Sequence, residues 1–276
     1  MQPVDQAVPR ARVVVTGGTR GIGAGIARAF LEAGAHVLVC GRTEPATPPA
    51  TPPAAVPATD DRQPATDNQR AAFTQADVRD PEQARQLIAT AVESFGGVDV
   101  LISNAGGSPE AAAATASPRF HAKIIELNLT APLHVAQAAN EVMQAQPGGG
   151  SIVMIGSVSG SRPSPGTAAY GAAKAGLHHL VTSLAIEWGP KVRINTVVPG
   201  FVVTESPAEV YGDQETAAAI AATVPLQRMA TPDDVAAVCL FLASPQASYV
   251  SGANLTLHGG GERPAFHSVR PPGRPG

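Results

Sequence analysis

An excess of charge of either sign is missing from this chain. Its 19 Lys and Arg are set against 22 Asp and Glu, a formal net charge of −3, which gives no sign of the basic stripe that nucleic-acid binding favours. Charged residues are sparse at 15%, against 44% hydrophobic residues, a balance that fits a compact soluble protein. Cysteine is almost absent. Cys40 and Cys239 both lie in apolar segments, and their spacing suits neither a metal site nor a disulfide. The expectation is therefore buried thiols in a reducing compartment and no metal. Long apolar runs are also lacking, since none reaches the roughly 18 residues of a spanning helix. Met1 to Arg12 has no apolar core of a secretion signal. These absences predict a cytoplasmic protein with neither a membrane nor a nucleic-acid partner.

What is present is a series of short β-branched runs, each leading into a turn of small residues. At 276 residues the chain is long enough for one α/β domain with a full core, or for two small ones. The first run, Val13-Val14-Val15, enters Thr16-Gly17-Gly18-Thr19-Arg20-Gly21-Ile22-Gly23. After it Ile22, Ile26, Ala29, Phe30 and Ala33 recur at helical spacing and stop at Gly34. Strand, glycine turn and helix follow in the order of a dinucleotide site. The glycines allow a tight turn and close approach of a pyrophosphate, whose charge the helix N-terminus favours.

The second run, His36 to Cys40, ends in Gly41-Arg42. NAD sites carry an acid near this point to hold the ribose hydroxyls, whereas an arginine suits a 2′-phosphate. With no acid there, and with Arg20 as a second cation in the glycine turn, the sequence favours NADP over NAD. Thr43 to Gln69 then breaks the pattern. Its prolines at 45, 48, 49, 52, 53, 57 and 64 bar a continuous helix, so a Pro-rich loop at 43–70 is expected where a crossover helix would lie.

Regular structure resumes at Ala71 to Ala76, with Asp77-Val78 at the strand's end. Asp80 caps an expected helix from Pro81 to Phe95 that stops at Gly96. Val98 to Ser103 forms a fourth strand and opens into Asn104-Ala105-Gly106. Ser117 to Gln146 reads as one long helix with Asn128 inside it, an amide that needs partners among apolar neighbours. Ser151 to Ile155 forms a fifth strand, which sets Ser157 at a strand's C-terminal end, where open α/β sheets bind ligands. A helix from Thr167 to Trp188 follows. Arg193 to Val198 makes a sixth strand, ending at Pro199-Gly200. Residues 201–224 show no regular period beyond a short helix near Glu215 to Ala222, and irregular chain at this place suits a substrate lid. Thr231-Pro232-Asp233-Asp234 caps a helix to Ala243, and Asn254 to His258 forms a last strand. Residues 1–11 and 261–276 read as tails.

The strongest chemical signal is Tyr170 and Lys174, four apart and so on one helix face. Bringing a phenol from about pH 10 to neutral takes about 4 kcal/mol. An ammonium about 4 Å away in an effective dielectric of about 20 supplies roughly that. The pair therefore predicts a proton-exchanging tyrosine with a lysine as its electrostatic partner.

Taken together, Thr16-Gly17-x-x-x-Gly21-Ile22-Gly23, Asn104-Ala105-Gly106, Asn128, Ser157, Tyr170-x-x-x-Lys174 and Pro199-Gly200 resemble the short-chain dehydrogenase/reductase family over roughly 12–260. The resemblance implies a single Rossmann-type domain, a doubly wound parallel sheet of about seven strands, with a bound nicotinamide dinucleotide. It implies hydride transfer between that cofactor and a small-molecule carbonyl or alcohol, with Tyr170 as acid/base and Ser157 orienting the reacting oxygen. It further implies that Lys174 holds the nicotinamide ribose and that Asn128 keeps a water in a proton relay. Asp77 and Val78 would lie near the adenine, and Asn104, Ala105 and Gly106 near the adenosine ribose. Val202 and Thr204 would lie near the carboxamide and phosphates, beside Pro199 and Gly200. A homotetramer or homodimer through the helices of Asn128 and Tyr170 is implied as well.

The chain departs from the family pattern at the Pro-rich stretch, at Ser103 in place of a frequent asparagine, and at His258 in place of a frequent aspartate. The leading reading is an NADP(H)-dependent carbonyl/alcohol oxidoreductase. Its alternatives are an NAD(H)-dependent alcohol, 3-oxoacyl, steroid or sugar dehydrogenase of the same family, and a non-catalytic NADP-sensing or scaffold protein.

Overall fold

The computed structural model describes residue 8 and residues 10–45, 70–204 and 211–262. Seven parallel strands form one sheet in the order β3-β2-β1-β4-β5-β6-β7. They are β1 (Arg12–Thr16), β2 (His36–Gly41), β3 (Ala71–Gln75), β4 (Val100–Ser103), β5 (Gly150–Ile155), β6 (Val192–Pro199) and β7 (Asn254–Leu257). Because order reverses between β1 and β4, the crevice beyond their C-terminal ends is the topological switch point at which such sheets bind ligands. Both faces of the sheet are covered, and the strands are apolar on both sides, as parallel sheets require.

Alternation along the strands sorts the core into two layers. Val13 and Val15 of β1, with Val37, Val39, Val100 and Ile102, face α1 (Gly21–Glu32) and α7 (Pro232–Ala243), whose Phe30, Ile26, Val235 and Leu242 complete that side. Gly25 of α1 lies so close to α7 that an added Cβ would stand 2.4 Å from the Pro232 side chain. On the other face Val14, Leu38, Leu101 and Ile152 meet α2 (Pro81–Phe95), α4 (Ala131–Ala145) and α5 (Ala168–Trp188). Cys40 and Cys239 are buried free thiols, one in each layer, and burial pushes the Cys40 thiol up to about 11. They are core residues.

Capping follows the sequence. The Asp80 carboxylate accepts the Glu82 amide at 2.9 Å to start α2, and Gly96 ends it at φ 80°. Thr231 accepts from Asp234 at 3.3 Å while the Asp234 carboxylate accepts the Thr231 amide at 2.7 Å, a reciprocal box that contributes about 1 kcal/mol. The expected short helix near 215–222 is α6 (Gln214–Thr223).

The single long helix expected over 117–146 is corrected. The structure divides it into α3 (Pro118–Ile125), a π turn at Glu126–Thr130, and α4. The reason is Asn128, which is fully buried in that turn and turns its amide to the backbone of another segment. Wider turns of this kind occur where a side chain must be re-aimed, often at functional sites. Most of the expected Pro-rich loop, residues 46–69, lies outside the described residues, as do 205–210 of the expected lid and 263–276 of the expected tail.

Candidate active site

A cleft of about 1010 Å³ runs across the C-terminal strand ends. Its β1 end is built by the glycine turn. Gly17 (φ 62°) and Gly21 (φ 56°) adopt left-handed backbone, open to glycine at little cost. Gly23 is needed for another reason, since a Cβ there would stand 2.2 Å from the Gly17 carbonyl oxygen. It is the hinge under the turn and, contrary to expectation, does not line the cleft; its packing holds Gly17 in place. The Asn104 side chain donates to the carbonyls of Thr16 (3.0 Å) and Gly17 (3.1 Å), and Thr16 Oγ1 accepts the amides of Asn104 and Ala105. These bonds join the β1 and β4 turns into one rigid wall.

Helix α1 opens onto this wall. The residue before α1 is Arg20, extended; it gives no side-chain cap and the helix's first turn holds no acid, as is also the case for α4 and α5. The positive end of a helix favours an anion. The residues present therefore fit the pyrophosphate of a dinucleotide. Thr19, Ile22 and the exposed Arg20 and Arg42 line the same end of the cleft.

Asp77 and Val78 lie beyond them. The sequence reading missed Arg79, whose guanidinium grips the Asp77 carboxylate, with Nε 2.9 Å from Oδ1. That bond, with Arg42 adding to it, holds Asp77 below the usual carboxylate range. The signal for Arg79 was its place two residues after Asp77.

The other end of the cleft collects Ser157, Tyr170 and Lys174 with Pro199, Gly200, Val202 and Thr204. Burial raises the Tyr170 phenol, the Ser157 hydroxyl opposes that rise through a hydrogen bond, and Tyr211 adds to it. Lys174 Nζ donates to the Ile155 carbonyl at 2.8 Å and stands 5.7 Å from the centre of the Tyr170 ring. The expected lysine-driven fall of the phenol towards neutral is thus corrected. The lysine is fully buried with its ammonium spent on a strand carbonyl, and burial lowers it to about 8. At the phenol, desolvation outweighs the Ser157 hydrogen bond.

Asn128 likewise stands behind the cleft. Its Oδ1 accepts the Gly107 amide at 2.8 Å, and its Nδ2 donates to the Gly107 and Ile124 carbonyls, both at 2.9 Å. It fixes the loop after β4, and Gly106 is pinched between its Oδ1 and the Lys174 ammonium. Tyr211 was not anticipated. Its hydroxyl accepts the Val202 amide at 3.0 Å and donates to the Val202 carbonyl at 3.1 Å, and its ring meets Phe201 edge-on. Nothing in the local sequence marks a lone tyrosine within an irregular stretch for that contact.

A family model described as enoyl-(acyl carrier protein) reductase matches residues 17–262. L-rhamnose 1-dehydrogenase (NAD(P)(+)) of Azotobacter vinelandii is 35% identical over 251 residues, covering 90% of this chain and 95% of that protein. The 3alpha-hydroxysteroid dehydrogenase of Mediterraneibacter gnavus is 34% identical over 247 residues, covering 89% and 94%. Among solved structures, the ligand-free aldohexose dehydrogenase of Thermoplasma acidophilum superposes with a TM-score of 0.80 at 26% identity and 99% coverage of both chains. Sheet, cleft and relatives define an oxidoreductase of alcohols and carbonyls that uses an NAD(P) nucleotide. The chain belongs to the short-chain dehydrogenase/reductase family.

Proposed function

We propose that this chain is an NADP(H)-dependent oxidoreductase that interconverts a small-molecule ketone or aldehyde and its alcohol. The observation that carries this reading is the meeting of the Ser157 and Tyr170 hydroxyls at the β5 end of the cleft, with burial keeping the phenol protonated. Bound NADPH supplies the hydride. The Ser157 hydroxyl donates to the carbonyl oxygen and orients it, and Tyr170 passes its proton to that oxygen as negative charge develops. Lys174 supplies positive charge near the phenol and would hold the nicotinamide ribose. Asn128 serves by holding Gly107, and hence the loop beside Lys174, in one geometry. Arg20 and Arg42 favour the 2′-phosphate, because both line the cleft and Gly41 offers no acid.

A panel of sugars, hydroxysteroids, 3-oxoacyl esters and simple ketones, each with NADPH and with NADH, tests the reading by loss of reduced-nicotinamide absorbance. Turnover of at least one carbonyl with NADPH, faster than with NADH, is expected. Binding of NADPH with no turnover across the panel would favour the sensor or scaffold alternative.

Assembly into a homodimer or homotetramer is proposed with it. Ile186 of α5 is 86% exposed and Tyr249, near β7, is fully exposed, an arrangement that a partner subunit would bury. Light scattering that returned only the 28.0 kDa monomer mass would remove that part.

A further inference from the structure

We propose that His178 is a positioning residue for Ser157, and that its neutral form is required for turnover. This rests on the catalytic reading of Ser157 given above. His178 lies on α5 one turn beyond Lys174 and two turns beyond Tyr170, so all three point the same way from the helix. Its Nε2 accepts the backbone amide of Ser157 at 3.4 Å, which requires the neutral ring with its proton on Nδ1.

The ring is buried in a close-fitting site. A Cβ on Gly156 would stand 2.5 Å from Nε2 and one on Gly160 would stand 2.8 Å from Cε1. Glycines on either side of Ser157 therefore make room for an imidazole to reach its backbone. The bond fixes the amide at the point where the chain leaves β5, while the Ser157 Oγ accepts the Ser159 amide at 3.2 Å. Backbone and hydroxyl of Ser157 are thus held by separate partners, and the hydroxyl is set against the phenol.

Protonation reverses the contact. An imidazolium carries hydrogen on both nitrogens, so Nε2–H would face Ser157 N–H, donor against donor. Burial lowers the His178 pKa below its ordinary value, and the Lys174 ammonium adds to the lowering. Lys174 is the charged group facing the ring. The end of β5 and the turn after it present Gly156, Ser157 and Gly160, β6 presents Thr196, and Asn254 of β7 donates to the His178 carbonyl at 3.4 Å. None of these carries charge. Because the folded value lies below the usual one of about 6.5, the neutral form prevails at neutral pH, and protonation comes only as pH falls past that lowered value.

The test is the pH profile of kcat in the reduction direction, where a protonated Tyr170 is the active form and adds no acid limb of its own. The wild type is expected to lose turnover as pH falls through the His178 transition. His178→Gln places an amide oxygen at the reach of Nε2 and does not titrate. It is expected to keep kcat near the wild-type value and to lose the acid limb. His178→Leu, which has no acceptor, is expected to lower kcat about five- to tenfold, the worth of one hydrogen bond, with the NADPH dissociation constant unchanged.

Persistence of the acid limb in His178→Gln, or wild-type kcat in a folded His178→Leu, would overturn the proposal. If the leucine variant does not fold, the profile of the glutamine variant decides alone. Ser157→Ala separates the two levels of inference. If turnover survives that change, the catalytic reading fails; if it does not survive and the His178 variants behave as wild type, only this inference fails.

Discussion

Tyr170→Phe is expected to lower kcat about a thousandfold, within the range that a positioned acid/base supplies, and to leave the NADPH dissociation constant unchanged. The phenyl ring keeps the packing of the half-buried tyrosine while removing the proton that reduction needs. That phenol is raised by burial, a rise only partly offset by the Ser157 hydrogen bond. It is therefore protonated at neutral pH, the form in which the proposed mechanism uses it as the acid in carbonyl reduction. Alcohol oxidation needs the opposite form, and its rate should climb as pH rises towards the raised phenol value. Lys174, lowered by burial to about 8, limits that climb, because the ammonium that would support a phenolate is lost above its own pKa. Stopped-flow turnover in both directions, with NADPH titrated by fluorescence, measures both quantities. Unchanged turnover in the phenylalanine variant would remove the mechanism.

Arg42→Ala is expected to weaken NADPH about tenfold and to leave NADH almost untouched. A hydrogen bond from a cation to a phosphate is worth about 1.5–3 kcal/mol, and 1.4 kcal/mol is about one factor of ten in affinity. We take the lower end because Arg42 is exposed and its field is screened. Arg79 is no substitute, since Asp77 already holds its guanidinium. Arg20 is the other exposed cation at this end of the cleft among the described residues, and adding Arg20→Ala should extend the discrimination further. Dissociation constants for both nucleotides, measured by calorimetry, decide the matter. Equal weakening of the two would show that Arg42 does not read the 2′-phosphate.

The elements that could be read beforehand are those whose cause is local. Val13 to Val15 running into Gly17 and Gly21, Asp80 before Pro81, Thr231 three residues before Asp234, and the four-residue step from Tyr170 to Lys174 all carry their geometry within one or two turns of chain. The site features that were misread have causes elsewhere in the fold. Lys174 turns to the Ile155 carbonyl because β5 presents it there, and a helical period contains no information about which strand end lies above it. Asn128 needed partners, as its apolar setting announced, yet two of its three bonds go to Gly107 of a different segment, and the π turn lies where they are made, within the expected long helix. Nothing near His178 in the sequence marks it, because the glycines at 156 and 160 that make room for its ring belong to another segment.

The all-parallel sheet also has a consequence for how this chain acquires its activity. The cleft draws on the ends of several strands and on α5, and β1 must pair with β4 across more than eighty intervening residues. Contacts this distant in sequence form late and slowly. Helical signal should therefore return early on dilution from denaturant, while catalytic competence arrives only once the central strands have zipped together. A partly assembled molecule would hold no fraction of a working centre.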